Sequence, residues 1–228
     1  MPDLSLSLRS CRPFLGLALC CLALVGPRAA AQDASAPSQL SDGSHLGLGV
    51  RMAYGIPKKK VSEASGLAMG LEGLIAPQVD VSWFFSSHLS LGLYGQYGVG
   101  RYSRFCSEES CRGGVLRLGV GLQYQFAPES PWSPWLGAGV GYQRHMQNEH
   151  LAYGDTSTVE SGFELMRLEA GLDFSFAGRF LVGPYVTGSM SSYFWRSMKT
   201  DGYPSSSMPA NSDLEFWVMP GVRLQARL

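Results

Sequence analysis

The sequence predicts an all-β chain, an eight-stranded antiparallel up-and-down transmembrane β-barrel, and three observations predict it. Eight segments alternate apolar residues with small or polar ones, the side-chain period of two that a strand imposes. The connections between them alternate long and short, as in barrels with short turns on one side of a membrane and long loops on the other. Aromatic residues gather near both ends of the segments, as two interfacial girdles would. Composition points the same way. Charged residues are 16% of the 228, against about 25% in soluble domains. Apolar residues are 45%, yet no run reaches the roughly 18 that a spanning helix needs. A closed barrel is then the spanning structure left, because lipid cannot satisfy open backbone groups.

Residues 1–31 read as a secretory signal peptide. Arg9 and Arg12 give the positive region, Phe14–Val25 the apolar core, and Ala29–Ala31 the small-residue cleavage site. Lipidation at Cys20 or Cys21 is not expected, since Leu19 stands where a small residue should precede the modified cysteine. Cleavage removes three arginines and one aspartate, leaving 15 basic and 17 acidic residues. So even a balance argues against nucleic acid as a partner. Residues 32–44, rich in Ser, Ala, Asp and Gln, read as a flexible periplasmic lead-in, and residues 45–228 as the barrel. Cys106 and Cys111, five positions apart in an exported chain, read as a disulfide. So small a ring adds at most ~2 kcal/mol and serves to shape one loop.

The first strand is about His45–Ile56, with Leu46, Leu48, Val50, Met52 and Tyr54 on its apolar face. The second, about Leu71–Phe85, turns Ile75, Val79, Val81, Trp83 and Phe85 outward; the third, His88–Gly100, turns Leu89, Leu91, Leu93, Tyr97 and Val99 outward, with Gly95 the one gap. The fourth, about Val115–Phe126, presents Leu116, Leu118, Val120, Leu122, Tyr124 and Phe126, and the fifth, about Trp135–Met146, presents Leu136, Ala138, Val140 and Tyr142. The sixth spans about Phe163–Phe176 with Leu168, Ala170, Leu172, Phe174 and Phe176 outward. The seventh, about Phe180–Tyr193, has Val182, Pro184 and Val186 outward; the eighth, about Leu214–Leu228, has Phe216, Val218, Val222, Leu224 and Leu228 outward. Each is long enough for the roughly 9–11 residues of a tilted spanning strand. Pro77, Pro184 and Pro220 fall inside strands, where each is expected to cause a bulge or a missing ladder bond.

Short turns are expected at Ser86–His88, Ala127–Pro134 and Ala177–Arg179, and long loops at Pro57–Gly70, Arg101–Gly114, Gln147–Gly162 and Phe194–Asp213. One girdle takes Trp83, Phe85, Tyr124, Phe126, Trp132, Trp135, Phe174, Phe176 and Phe180 at the short-turn end. The other takes Tyr54, Tyr97, Tyr102, Tyr142, Tyr193, Phe194, Trp195 and Phe216 at the long-loop end.

The apolar face is expected outside. A soluble barrel would carry many Lys and Glu on its exterior strands, whereas the four lysines, Lys58, Lys59, Lys60 and Lys199, all fall outside the expected strands. The second face is mainly Gly, Ser and Gln, with Gly119, Gly121, Gly137, Gly139 and Gly141 leaving room for Tyr94, Tyr185 and Trp217. Its charges balance: Arg51, Arg117, Arg167 and Arg223 against Asp80, Glu169, Asp173 and Glu215. Unpaired charges in a narrow lumen are costly, so these should pair. An eight-stranded barrel is just wide enough for its own side chains, so the network reads as a plug, with a gate or proton path as the other reading.

Architecture, loop alternation, girdles and the alternating end Pro220, Val222, Leu224, Ala226, Leu228 together resemble the small OmpA/OmpX-like outer-membrane barrels over about residues 45–228. Pro134–Tyr142 (PWLGAGVGY) looks like a strand common among them, while the terminal signal usually ends in Phe and here ends in Leu228. The resemblance implies residence in the outer membrane of a Gram-negative cell and insertion by the barrel-assembly machinery. The peptidoglycan-binding domain of the larger OmpA proteins is not carried over, since the chain stops at Leu228. Some eight-stranded barrels trim or acylate lipid A. The His-x-Ser arrangement of the deacylase type is missing, for Met146 and Gln147 follow His145, and His145, Glu149 and His150 fit no common zinc spacing. The expectation is therefore a monomer that is not an enzyme, needs no cofactor, and has a structural or surface-interaction role. The alternatives are a narrow low-conductance pore and a lipid-modifying enzyme with unfamiliar residues. Expected partners are outer-membrane lipid, lipopolysaccharide contacted through Lys58, Lys59 and Lys60, and an extracellular ligand on the long loops.

Overall fold

A computed structural model describes residues 45–58, 71–102, 111–151, 154–176, 179–201, 203, 205–209 and 214–228. They form β1 (Leu46–Lys58), β2 (Leu71–Phe84), β3 (Leu89–Tyr102), β4 (Cys111–Gln125), β5 (Trp132–Leu151), β6 (Gly154–Phe176), β7 (Phe180–Thr200), β8 (Ser206–Pro209) and β9 (Leu214–Arg227). Eight of these are staves of one closed antiparallel barrel. Each pairs with the next in sequence, β7 passes to β9, and β9 closes on β1 from Gly47 opposite Arg227 to Lys58 opposite Phe216. The signal peptide, the lead-in, Lys59, Lys60 and Cys106 lie outside the described residues.

The faces follow the side-chain period. Along β7 the exposure alternates without a break from Leu181 to Tyr193, and outward residues such as Val50, Ile75, Leu93, Val120 and Val140 are exposed. Exposed apolar side chains on every stave are what lipid solvates and water does not.

The strand ends differ from expectation most on the long-loop side; on the short-turn side β5 begins at Trp132, inside the expected turn Ala127–Pro134. β5 and β6 continue into Gln147–Gly162, expected to be a loop, and pair there down to Leu151 opposite Gly154. β7 continues to Thr200, and β8 folds back on it, Trp195 opposite Pro209. Lys58 and Lys199 thereby belong to strand ends rather than loops.

Each of the three prolines interrupts one of its two ladders. Pro77 pairs with Met52, while toward β3 the pairing skips from Ile75 to Gln78. Pro184 pairs with Val222, while toward β6 it skips from Val182 to Tyr185. Pro220 pairs with Val186, while toward β1 it skips from Val218 to Gly221. A proline has no N–H to give the second neighbour, so one side lapses and the register resumes unchanged. The bulges lie elsewhere, at Leu71/Gly73, Gly139/Gly141, Ser161/Gly162 and Glu164/Met166.

Candidate functional site: a polar lumen

Inward residues of all eight staves meet in the lumen, and most of what they bring is polar. Near the short-turn end, Arg227 bonds Gln125 and lies over the Phe84 ring. Above it, Arg223 Nε donates to Asp173 Oδ1 at 2.8 Å, its Nη2 to Asp173 Oδ2, and its Nη1 to Gln123 at 2.6 Å. Trp135 Nε1 donates to the same carboxylate at 3.2 Å. The next cluster holds two arginines on shared carboxylates. Arg51 reaches Asp80 at 2.7 Å and Glu169 at 3.1 Å; Arg167 reaches Glu169 at 2.8 Å and Glu164 at 3.7 Å.

Gln78 ties this cluster upward. It donates to Asp80 at 2.7 Å and accepts from Arg167 at 2.8 Å and from Gln96 at 3.1 Å. Arg117 then bonds Gln96 at 2.9 Å and Gln143 at 2.8 Å, beside Met219 and over the Trp217 ring. Arg117, read in the sequence as opposing a carboxylate, therefore bonds neutral amides. Gln143 donates to Glu215 at 3.2 Å, and Tyr193 donates to Glu215 at 2.6 Å. Tyr193 and Trp135, placed in the girdles by depth along the strands, are both buried in the lumen. Among the expected girdle members, Trp83, Phe85, Tyr124, Phe126, Trp132, Phe176 and Phe180 at one end and Tyr54, Tyr97, Phe194 and Trp195 at the other are exposed.

Two carboxylates of the lumen escaped the sequence reading. Glu164 is fully buried, accepts from Tyr94 Oη and faces Arg167. Both Glu164 and Arg167 point inward three positions apart, because the bulge at Glu164/Met166 turns Leu165 and Met166 both outward. Glu160 pairs with Arg196 where β6 and β7 run beyond their expected ends. Tyr94→Phe, which removes a hydrogen bond to a buried charge, is expected to cost about 1.5–3 kcal/mol in urea unfolding from lipid vesicles.

Tyr94 reaches Glu164 by lying across two intervening staves. A Cβ at Gly119 would stand 2.3 Å from its Oη and one at Gly141 would stand 2.6 Å away. The expected glycine cradle therefore serves Tyr94, whereas Tyr185 rests against Gly221. A cavity of about 30 Å³ remains beside Arg51, Asp80, Ser90, Tyr94, Arg167 and Glu169.

His145 is buried and inward, opposite Glu160 across the β5–β6 ladder. Its grouping with Glu149 and His150 lies outside the described side chains, as does that of Cys111 with Cys106.

No protein-family model matches the sequence, and no curated protein matches it. Solved structures do match in fold. The outer membrane protein OprG from Pseudomonas aeruginosa is 13% identical, over 81% of this chain and 97% of that one, with a TM-score of 0.51. This chain has the fold of the small outer-membrane barrels. Neisserial surface protein A is likewise 13% identical, over 80% of this chain and 97% of that one, with a TM-score of 0.48. The barrels matched also include the outer membrane protease OmpT from Escherichia coli, 10% identical over 81% of this chain and 94% of that one, with a TM-score of 0.41. This corrects the expectation that the chain is not an enzyme: an outer-membrane barrel of this kind gives no ground for excluding catalysis.

Proposed function

We infer that the chain is an integral outer-membrane barrel with a plugged lumen, and that it acts as a structural or surface-interaction protein through its long-strand end. The lumen carries this reading. Side-chain bonds link Arg223, Arg51, Arg167, Gln78, Gln96, Arg117, Gln143 and Glu215 into stacked clusters along the barrel. The cavity of about 30 Å³ among them has room for a water or two and not for a hydrated solute. Six inward arginines, Arg51, Arg117, Arg167, Arg196, Arg223 and Arg227, meet six inward carboxylates, Asp80, Glu160, Glu164, Glu169, Asp173 and Glu215, among the described residues. A charge-balanced interior neither attracts nor selects one sign of ion.

The exposed apolar wall supports residence in lipid, and the β5–β8 extension supports a role at the surface, since Phe194, Trp195, Met198, Tyr203 and Met208 are exposed there. Export by residues 1–31, assembly through the last strand, a Cys106–Cys111 disulfide, and lipopolysaccharide contact by Lys58, Lys59 and Lys60 complete the proposal. Residues 32–228, refolded and checked by a heat-dependent gel shift, are expected to give no channel events in a planar bilayer. Steady conductance that changes in Arg117→Ala or Glu169→Ala would overturn the plug and make the lumen a pore.

A further inference from the structure

We propose that the outward wall of β4, β5 and β6 binds one phosphorylated glycolipid of the outer leaflet, an acyl chain lying in a groove and a phosphate resting on Arg144. The inference builds on the outer-membrane placement proposed above. The groove, about 730 Å³, has outward apolar walls of Leu118, Val120, Val140, Tyr142, Phe163 and Leu165, and at its floor, beside Gly119 and Gly141, it meets the lumen pair Tyr94 and Glu164. Its upper rim is the cross-strand row Leu118, Tyr142, Phe163. The next outward row is Leu116, Arg144, Ser161, so Arg144 stands one step, about 7 Å along the strand, above the groove. Arg144 is exposed and has no ion-pair partner among the described residues.

Two rows higher, Arg112, Asn148, Ser157 and Lys199 form a second cationic row across β4 to β7, with Arg112 and Lys199 exposed. Between the groove and this row no outward side chain is acidic among the described residues; the carboxylates of that stretch, Glu160 and Glu164, face the lumen. The wall thus presents cations outward above an apolar trough, complementary to a lipid whose anionic groups sit above its chains. The two cationic levels are four residues apart, about 14 Å along the strands. One phosphodiester head group does not span that distance, whereas phosphates set apart on a sugar head group do. This favours a lipid A-type glycolipid over a glycerophospholipid.

The test is native mass spectrometry of the folded chain in detergent with lipid A, dephosphorylated lipid A, or phosphatidylglycerol. One lipid A is expected to stay bound, with at least tenfold less retained by Arg144→Glu and by Val140→Trp, which fills the groove. Each variant is first checked for the heat-dependent gel shift; both positions are on the outer wall, and two independent changes keep the test open if one barrel fails to form. Equal retention by both folded variants, or equal retention of dephosphorylated lipid A or phosphatidylglycerol, overturns the site. A folded, non-conducting barrel with no such preference overturns this inference alone. A conducting barrel that still retains lipid A overturns the plug alone.

Discussion

Arg223→Met is expected to destabilise the barrel by about 3–5 kcal/mol, and Arg223→Met/Asp173→Leu to recover part of that loss. Asp173 is fully buried, and its partners are the Arg223 guanidinium on both oxygens and the Trp135 indole at 3.2 Å. Removing the guanidinium alone leaves a buried carboxylate with one neutral donor. Removing both leaves apolar groups of similar bulk and no buried charge, and the cost that remains is the Trp135 N–H and the Gln123 oxygen left without these partners. Of the ion pairs in the lumen this one suits the experiment best, because Arg51 and Arg167 share Glu169 and cannot be separated so simply. Urea titration in lipid vesicles followed by tryptophan fluorescence reads the difference. Losses of equal size in the single and double variants would show that packing, including the guanidinium stacked 3.8 Å over Trp135, outweighs charge.

The second large effect is steric. Gly171→Ala is expected to cost about 1–3 kcal/mol, toward the upper end. A Cβ there would stand 2.5 Å from Cε2 and Cζ2 of Trp135. That ring is no flexible tip: Asp173 holds its Nε1, Arg223 covers its face, and it is almost wholly buried. Trp135→Ala by itself is expected to cost about 3–5 kcal/mol. Adding Gly171→Ala on top of it is expected to cost little, since the colliding ring is gone. The same vesicle unfolding assay gives the coupling, and strictly additive losses would sink the account of Gly171 as a seat for the indole.

The staves and their outward faces were legible in the sequence because lipid demands an apolar residue at every second position. Leu89, Leu91 and Leu93, or Leu118, Val120 and Leu122, can be read directly. Where that demand ends, so did the signal. In Thr156–Gly162 neither face is consistently apolar, so a strand that leaves the bilayer reads as a loop although its ladder continues. Parity also misled where a bulge reset it. Counting back from Leu168 and Ala170 puts Glu164 on the outer face, and only the doubled outward pair Leu165 and Met166 brings it inside. Depth along the strand places Trp135 and Tyr193 in the girdles, whereas the alternation of their own strands turns them inward, where they are buried. The lumen charges were visible as a balanced set, but not their partners. Arg117 meeting Gln96 and Gln143 depends on the relative height of three staves, which no single strand encodes.

The closing seam has a kinetic consequence. Seven of the eight seams join staves adjacent along the chain, but β1 must wait for β9, the last to be made. Until then β1 offers an unpaired row of amides and carbonyls to any passing strand. The seam it finally makes is discontinuous, skipping Tyr54 and Gly55 where Pro220 cannot donate. Loop-closure entropy makes such a contact the slowest to form. Maturation of the barrel should therefore be limited by one zippering event at β1 and β9. The hazard before it is a mispaired neighbour, which an escort that occupies the β1 edge would prevent.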